Sequence, residues 1–127
     1  MIDFIKELKK QLKDNYIINC SENQIGDKGM ESLSKMSIPN LEHLDIWSNQ
    51  IGPKGMESLS YMSLPNLEYL YISFNQIGDI GMESLSKMSL PNLRYLNIRD
   101  NQIKSPTVIE EINEKIEKAK TMVSRRF

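Results

Sequence analysis

Three side chains in the first half of the chain are of types that could carry out chemistry. His43 is the only histidine, and Asp45 follows it by two residues, which places both on one side of an extended strand. An imidazole beside a carboxylate suggests proton transfer, but these two would lie side by side on an open sheet, where nothing excludes water. Cys20, the only cysteine, falls at an inward strand position, where a thiol is buried and inert. The sequence therefore predicts that the protein is not an enzyme.

Patterns that hold metals, phosphates or cofactors are also missing from the sequence. No Cys/His cluster has metal-ligand spacing, and there is no glycine-rich phosphate loop or Ser/His/Asp set. The pairs Gly26-Asp27 and Gly78-Asp79 indicate turns and helix starts rather than calcium loops. We expect no cofactor and no bound metal.

Composition narrows the classes of partner. The formal net charge of −1 and the pI near 5.9 argue against a general nucleic-acid or anionic-membrane binder, because either would need a basic surplus. No apolar run approaches the roughly 18 residues that span a bilayer, and the N-terminus does not resemble a signal peptide. A single cysteine cannot form an internal disulfide. We expect an intracellular monomer that binds neither nucleic acid nor membrane.

The elements that must position these residues come from an internal repeat. Asn23, Asn49, Asn75 and Asn101 stand 26 residues apart, and each is followed by Gln-Ile. Two full copies, 40–65 and 66–91, differ at only seven positions. Near-identity at a fixed period predicts stacked structural units.

Each copy contains a strand half and a helix half. Leu44 and Ile46 alternate with polar or aromatic residues, as in a strand with one buried face. After the Asn-Gln-Ile-Gly segment, Met56 and Leu59 begin a three-residue spacing that is typical of one apolar stripe on a short helix. Asp27 and Asp79 occupy the N-cap positions of such helices, and Pro53 suits a first helical turn. Pro39, Pro65 and Pro91 should end each helix and return the chain to the next strand.

The pattern Leu-x-x-Leu-x-Ile-x-x-Asn-x-Ile-Gly, followed by a helix that opens with Gly-Met, resembles the leucine-rich repeat. Within that family it is most similar to the ribonuclease-inhibitor-like class, although a 26-residue period is short for that class, so the helices should be short. The resemblance implies an α/β solenoid over residues 15–106, with a concave parallel sheet of about four strands and short convex helices. It also implies that each repeated asparagine turns inward and bonds to the backbone. The first copy is degenerate, with Ile18 and Cys20 at the two inward strand positions.

Both ends of the solenoid should be closed by helices, because an open terminal repeat would expose core. Residues 1–14 form the predicted N-terminal cap and residues 107–127 the C-terminal cap and tail; binding of a partner by these helices is the alternative. The Thr107 to Glu110 spacing is that of a capping box. The apolar stripes run through Phe4, Ile5, Leu8 and Leu12 and through Val108, Ile109, Ile112, Ile116, Ala119 and Val123.

The exposed strand positions collect an unusual set of side chains. Four of the seven differences between the two full copies fall there, and so do the only tryptophan and most of the repeats' other aromatic residues. Rigidly held aromatics are typical of protein-binding hot spots, whereas incidental aromatics on a solvated face are the alternative. We expect Trp47 and Tyr71 to touch within one contiguous aromatic patch. The predicted partner-binding residues are His43, Asp45, Trp47, Tyr69, Tyr71, Phe74, Tyr95, Asn97 and Arg99.

The sequence thus predicts a protein–protein interaction module whose partner lies on the concave face. The acidic residues of the exposed strand positions lie early in the chain and the arginines late, so a partner of opposite polarity would be oriented by them. The resemblance leaves open a regulator or inhibitor of an enzyme or of a small GTPase. A structural protein that self-assembles through exposed edges or cap helices is the third hypothesis.

Overall fold

A computed structural model describes residues 4–12, 16–118 and 122–123 of the chain. Helices and strands alternate along these residues, and each helix after the first follows a strand. In order they are α1 (Phe4–Leu12), β1 (Ile17–Asn19), α2 (Gly26–Ser34), β2 (His43–Asp45), α3 (Pro53–Ser60), β3 (Tyr69–Tyr71), α4 (Gly78–Ser86), β4 (Tyr95–Asn97), α5 (Pro106–Lys118) and β5 (Met122–Val123).

The strands form one parallel sheet in chain order, from β1 to β5. Their register matches the sequence repeat, since Leu44 pairs with Ile18 on one side and with Leu70 on the other. Parallel neighbours lie about 4.8 Å apart, so equivalent residues of successive copies form straight columns across the sheet. The predicted α/β solenoid is confirmed.

The C-terminal end of the sheet differs from the prediction. The expected strands β1 to β4 are present, but the final helix, which we expected to run through Val123, ends at Lys118, and Met122–Val123 pair with β4 as a short additional strand. The outer edge of β4 would otherwise present unpaired backbone groups. Pairing of this edge is a tertiary requirement that the apolar spacing of the helix does not reveal.

The core lies between the sheet and the helices α2 to α4. Its strand side contains the columns headed by Ile18 and Cys20, all of them buried, and its helix side contains Met30 and its equivalents Met56 and Met82. The helices end at Ser34, Ser60 and Ser86, several residues before the prolines that we expected to terminate them. Burying each large apolar side chain contributes about 1.5–3 kcal/mol, so the repeated columns hold the copies together.

A row of buried asparagines joins the copies where the strands end. Asn75 donates from Nδ2 to the carbonyls of Ile46, Ile72 and Ser73 at 3.0–3.2 Å. Its Oδ1 accepts from the backbone N–H groups of Asn49 and Ile51 in the preceding copy, at 2.8 and 3.0 Å. Asn49 and Asn101 repeat this pattern. The inward-turned asparagines implied by the family resemblance are confirmed for Asn49, Asn75 and Asn101, whereas Asn23 is half-buried.

The helix starts correct one expectation. Asp27 does not cap its own helix, whose N-cap residue is Ile25 without a side-chain bond. Its Oδ1 instead accepts from the N–H groups of Gly52 and Gly55 at the start of α3, at 2.7 and 2.9 Å. A carboxylate is favourable there because it faces unpaired N–H groups and the positive end of the helix dipole.

Asp79 acts in the same way at the start of α5, one copy further along the chain than itself. Its Oδ1 accepts from the N–H groups of Lys104 and Ser105, just before α5, at 2.8 and 3.0 Å. These bonds hold the pKa of Asp79 below its usual value, and the bond from Ser105 contributes most. Pro53 occupies the equivalent position in the intervening copy and lies at the start of α3, as predicted.

The terminal helices pack on the ends of the core. Phe4 and Leu8 of α1 are buried, as are Val108 and Ile112 of α5, and Ile5 and Ile109 pack against the core from partly buried positions. The α5 helix begins at Pro106, and the Ser105 hydroxyl accepts from the Val108 N–H at 3.4 Å, so the predicted capping box at Thr107 is wrong. Ala119 and the side chains of Leu12, Ile116 and Val123 lie outside the described residues. We propose that α1 and α5 close the two ends.

Candidate binding surface

The candidate surface is the face of the sheet turned away from the helices, which we call the exposed face. Along β2, β3 and β4 the middle residue is buried and the residues on either side are half-buried. Eight of the nine predicted partner-binding residues are half-buried because their neighbours on this face cover them in part, and Phe74 is 50% exposed.

Four rings gather on the strands themselves, three from strand starts and one from the end of β3. His43, Tyr69 and Tyr95 occupy one column and stack in sequence, with ring centroids 5.3 and 4.8 Å apart. Tyr71 joins them, edge-on to His43 at 5.3 Å and tilted against Tyr69 at 6.5 Å. Offset and edge-to-face pairs of this kind are favourable beyond their buried area. We call these four residues the ring cluster.

A second group lies where the strands end. The Trp47 and Phe74 rings meet edge-to-face at 6.4 Å, and the Arg99 guanidinium lies 5.8 Å from the centre of the Phe74 ring. Trp47 thus contacts Phe74 rather than Tyr71, and the ring contacts of the described residues form two groups instead of the contiguous patch we expected. We call Trp47, Phe74 and Arg99 the second group.

Phe74 adopts a backbone conformation that is costly for its residue type. Its φ is +55°, in the left-handed region that bulky side chains avoid. The equivalent residues Glu22, Ser48 and Asp100 have φ values of 56–59°. Left-handed backbone costs about 1–2 kcal/mol for an L-residue, and a bulky ring has no local hydrogen bond with which to offset it. The exposed Phe74 ring is therefore held in place at the expense of stability.

The charges of the exposed face are divided between its halves. In 16–25, 39–52 and 65–77, the segments around β1 to β3, there is no lysine or arginine, whereas Glu22, Glu42, Asp45 and Glu68 are present. The arginines around β4 are each beside a carboxylate. Arg94 forms an ion pair with Glu68 at 3.6 Å. Arg99 Nε forms an ion pair with Asp100 at 3.1 Å but makes no hydrogen bond to it.

Burial and neighbouring groups alter one phenol of the ring cluster. Burial raises the pKa of Tyr71 above its usual value, and the nearby Tyr69, Asp45 and Tyr95 raise it further. The phenol therefore stays protonated and able to donate a hydrogen bond over the physiological range.

A groove that the sequence analysis missed borders the ring cluster. It runs along the edge where the chain enters the strands and has a volume of about 620 Å³. Glu42, Glu68 and Arg94, which line it, directly precede the ring-cluster residues of their strands. The repeat of Pro-Asn-Leu before β2, β3 and β4 could have revealed this edge as a second surface. The lining is completed by Tyr16, Asn40, Asn66, Pro91 and Asn92.

The three side chains that first suggested chemistry, His43, Asp45 and Cys20, are each engaged by neighbouring residues. Burial raises the pKa of the Cys20 thiol to about 11, and Gln11 donates to its sulfur at 3.6 Å. A thiol with this pKa is protonated at neutral pH and is a poor nucleophile. Asp45 accepts from the Ser21 hydroxyl at 2.7 Å, and His43 is engaged by two tyrosine rings. Among the described residues no group of His, Cys, Asp or Glu side chains could hold a metal ion.

Comparisons with known proteins point to one family. A family model described as Leucine Rich repeats matches twice, at residues 39–87 and 65–111, and a second, described as Leucine Rich repeat, matches residues 19–34. A search of curated proteins gave no match. Leucine-rich repeats are commonly protein–protein interaction modules and generally non-enzymatic scaffolds. No helix within the described ranges has the length and apolar character needed to cross a membrane.

Proposed function

The chain belongs to the leucine-rich-repeat family, and from this premise we propose that it is an interaction module that binds another protein on the exposed face. One observation carries the proposal: seven aromatic and arginine side chains on this face form two groups of ring contacts. Large, rigid rings offer contact area with little rotamer entropy to lose on binding.

The comparison of copies supports the same face. Four of the seven differences between copies 40–65 and 66–91 fall in the strands or in the turns directly after them: His43/Tyr69, Asp45/Tyr71, Trp47/Ser73 and Ser48/Phe74. Their core residues are identical. A face that served only to complete the sheet would have no reason to vary more than the helices behind it.

The alternative is that the rings only stabilise the sheet, as cross-strand aromatic pairs do. Phe74 favours binding over this alternative. Its left-handed backbone weakens the fold, and its ring is half exposed. Strained residues persist mostly at functional sites.

We further propose that the protein acts as a monomer without catalysis and without binding nucleic acid. Regulation or inhibition of an enzyme or small GTPase would be a particular case of partner binding on this face. Self-assembly would instead use the sheet edges or α1 and α5. The ribonuclease-inhibitor-like class remains our proposal for its place within the family.

A photo-crosslinking residue introduced at position 71 tests the proposal in native lysate, with position 83 on α4 as the matched control. We expect capture of one protein at position 71 only. Trp47→Ala or Tyr69→Ala should then weaken its binding by about 30-fold or more, as expected for a central anchor. Glu57→Ala and Ser58→Ala on α3 should leave binding unchanged. Capture at position 83 alone, or affinity that responds only to the α3 changes, would place the partner on the helices.

A further inference from the structure

We propose that the half of the exposed face formed by β1 to β3 binds a basic, arginine-containing segment of the protein partner. This inference rests on the proposed function and specifies the chemistry of the bound segment. Its starting point is the charge division: four carboxylates and no lysine or arginine in the segments around these three strands, where His43 is the one basic type of side chain.

Two of the three carboxylates beside the ring cluster, Glu42 and Asp45, have no ion pair with a described residue of this chain. The third, Glu68, is already paired with Arg94 at 3.6 Å. Asp45 accepts only a neutral hydroxyl, that of Ser21. The Glu42 and Asp45 side chains are half-buried, so water screens them less than it screens fully exposed charges. A cation brought against them by a partner would meet unsatisfied negative charge.

The rings beside these carboxylates favour arginine as that cation. Where this chain has arginines on the exposed face, each guanidinium lies over a ring: Arg94 over Tyr95 and Arg99 over Phe74, both at 5.8 Å. Around β1 to β3, His43, Tyr69 and Tyr71 provide the rings but no guanidinium. A planar guanidinium can stack on a ring while it bonds to a carboxylate, whereas the ammonium of lysine does so less well.

The groove provides room for more than one such side chain. It joins Glu42 to Glu68 along the strand entrances and lies next to the ring cluster. An extended segment crossing the strands could place one basic residue in the groove and another over the rings. An acidic or wholly apolar segment would leave the Glu42 and Asp45 charges without partners, which costs affinity.

Synthetic peptides test the inference on the full chain. The probe is a 12-residue Gly/Ser peptide with three arginines, and its matched controls replace these with citrulline or with glutamate. Binding is followed by the backbone amide signals in NMR titrations. We expect the arginine peptide to shift the signals of residues 42–45 and 68–71. The citrulline peptide should bind at least about tenfold more weakly, since bonds between charged groups contribute about 1.4 kcal/mol or more. Equal shifts with citrulline, or shifts elsewhere in the chain, would overturn the proposal.

A charge-matched pair of variants locates the effect. Glu42→Gln together with Asp45→Asn should reduce arginine-peptide affinity about tenfold or more. Glu57→Gln together with Glu83→Gln removes the same charge from the helices and should leave it unchanged. If both variants lost the same affinity, binding would depend only on the protein's net charge, and the proposal would be overturned. A variant that fails to fold would be recognised in the same spectra. In that case the comparison of arginine and citrulline peptides on the parent chain tests the proposal.

The crosslink at position 71 separates this inference from the proposed function. A captured partner whose crosslinked segment contains arginine beside the crosslink supports both. A captured segment that is acidic or apolar contradicts the arginine proposal and leaves the interaction module standing. If nothing is captured there while the arginine peptide still binds, the peptide chemistry holds and the protein-binding function fails.

Discussion

The asparagine row and the exposed face lie a few residues apart in every copy, yet they follow opposite rules. The row contains the same residue four times, buried in copies two to four, and each of these three makes bonds to the copy before it. The exposed face varies from copy to copy, as in the series Asn19, Asp45, Tyr71 and Asn97.

The difference shows what holds a repeat constant. A side chain that bonds across a junction must suit its own copy and the neighbouring copy at once, so a change in one leaves a buried backbone group unpaired in the other. A side chain on the exposed face does not have to bond to a buried backbone group of the neighbouring copy. We therefore expect residues that recur to determine stability and those that differ to determine binding.

The largest effect should come from removing a residue of the central core column. Leu70 is buried between Leu44 and Leu96, and Leu70→Ala should lower the free energy of unfolding by about 2–5 kcal/mol through lost burial and a cavity. Chemical denaturation measures it, with Glu83→Ala on α4 as the surface control. A variant that unfolds like the parent would mean that the strand register is wrong.

The asparagine row should show a smaller and graded effect. Asn75→Ala removes three donated and two accepted bonds and should cost about 1–3 kcal/mol, because buried backbone groups lose their partners. Asn23, at the start of the row, donates to the Ser21 carbonyl and is only half-buried. Asn23→Ala should therefore cost less than half as much in the same unfolding experiment. Equal losses at the two positions would contradict the inter-copy role of the row.

Phe74→Asn should sharpen the comparison by moving stability and binding in opposite directions. Asparagine tolerates the left-handed backbone, so the free energy of unfolding should rise by about 1 kcal/mol. Loss of the ring from the second group should weaken partner binding. Ser48→Asn, at the same conformation one copy earlier, removes no ring and is the control. A Phe74→Asn variant that unfolds more readily would show that the ring stabilises the sheet after all.

The smallest effect should be a pH dependence from Asp79. Because the folded protein holds the pKa of Asp79 below 3.8, the ionised carboxylate stabilises the fold above that pH. This contribution is lost as the pH falls from about 4 through the lowered pKa. Asp79→Asn should lower the melting temperature slightly at pH 7 and reduce its fall on acidification. Thermal melts from pH 7 to pH 3 measure this, and Glu83→Gln should retain the parent's profile.

The features that the sequence could predict were those that do not depend on contacts with residues far away along the chain. The strand columns followed from the period alone, since equal spacing places Leu44, Leu70 and Leu96 in register. The role of Asp27 could not be found by reading one copy, because its carboxylate accepts from Gly52, 25 residues later in the chain and directly before α3. Local capping rules assume that a residue serves its own helix.

The candidate surface was predicted in membership but not in arrangement. Spacing placed Trp47 and Tyr71 on neighbouring strands, but the left-handed turn at Phe74 brings that ring to Trp47 instead. The equivalent residues Glu22, Ser48 and Asp100 share this turn but carry no ring, so the other copies do not show where a ring at this position would lie. Periodicity fixes which face a residue lies on, whereas ring contacts depend on the turn geometry of one copy.

The direction of the asparagine bonds sets an order of events during synthesis of the chain. Asn49, Asn75 and Asn101 each complete the turn of the copy before them, so no turn is finished when its own copy leaves the ribosome. Each must wait for the next 26 residues, an interval of about 1–5 s at ordinary translation rates. The nascent solenoid thus always has an incomplete turn at its growing end, and the last one to close, around Asn75, closes only when Asn101 has emerged.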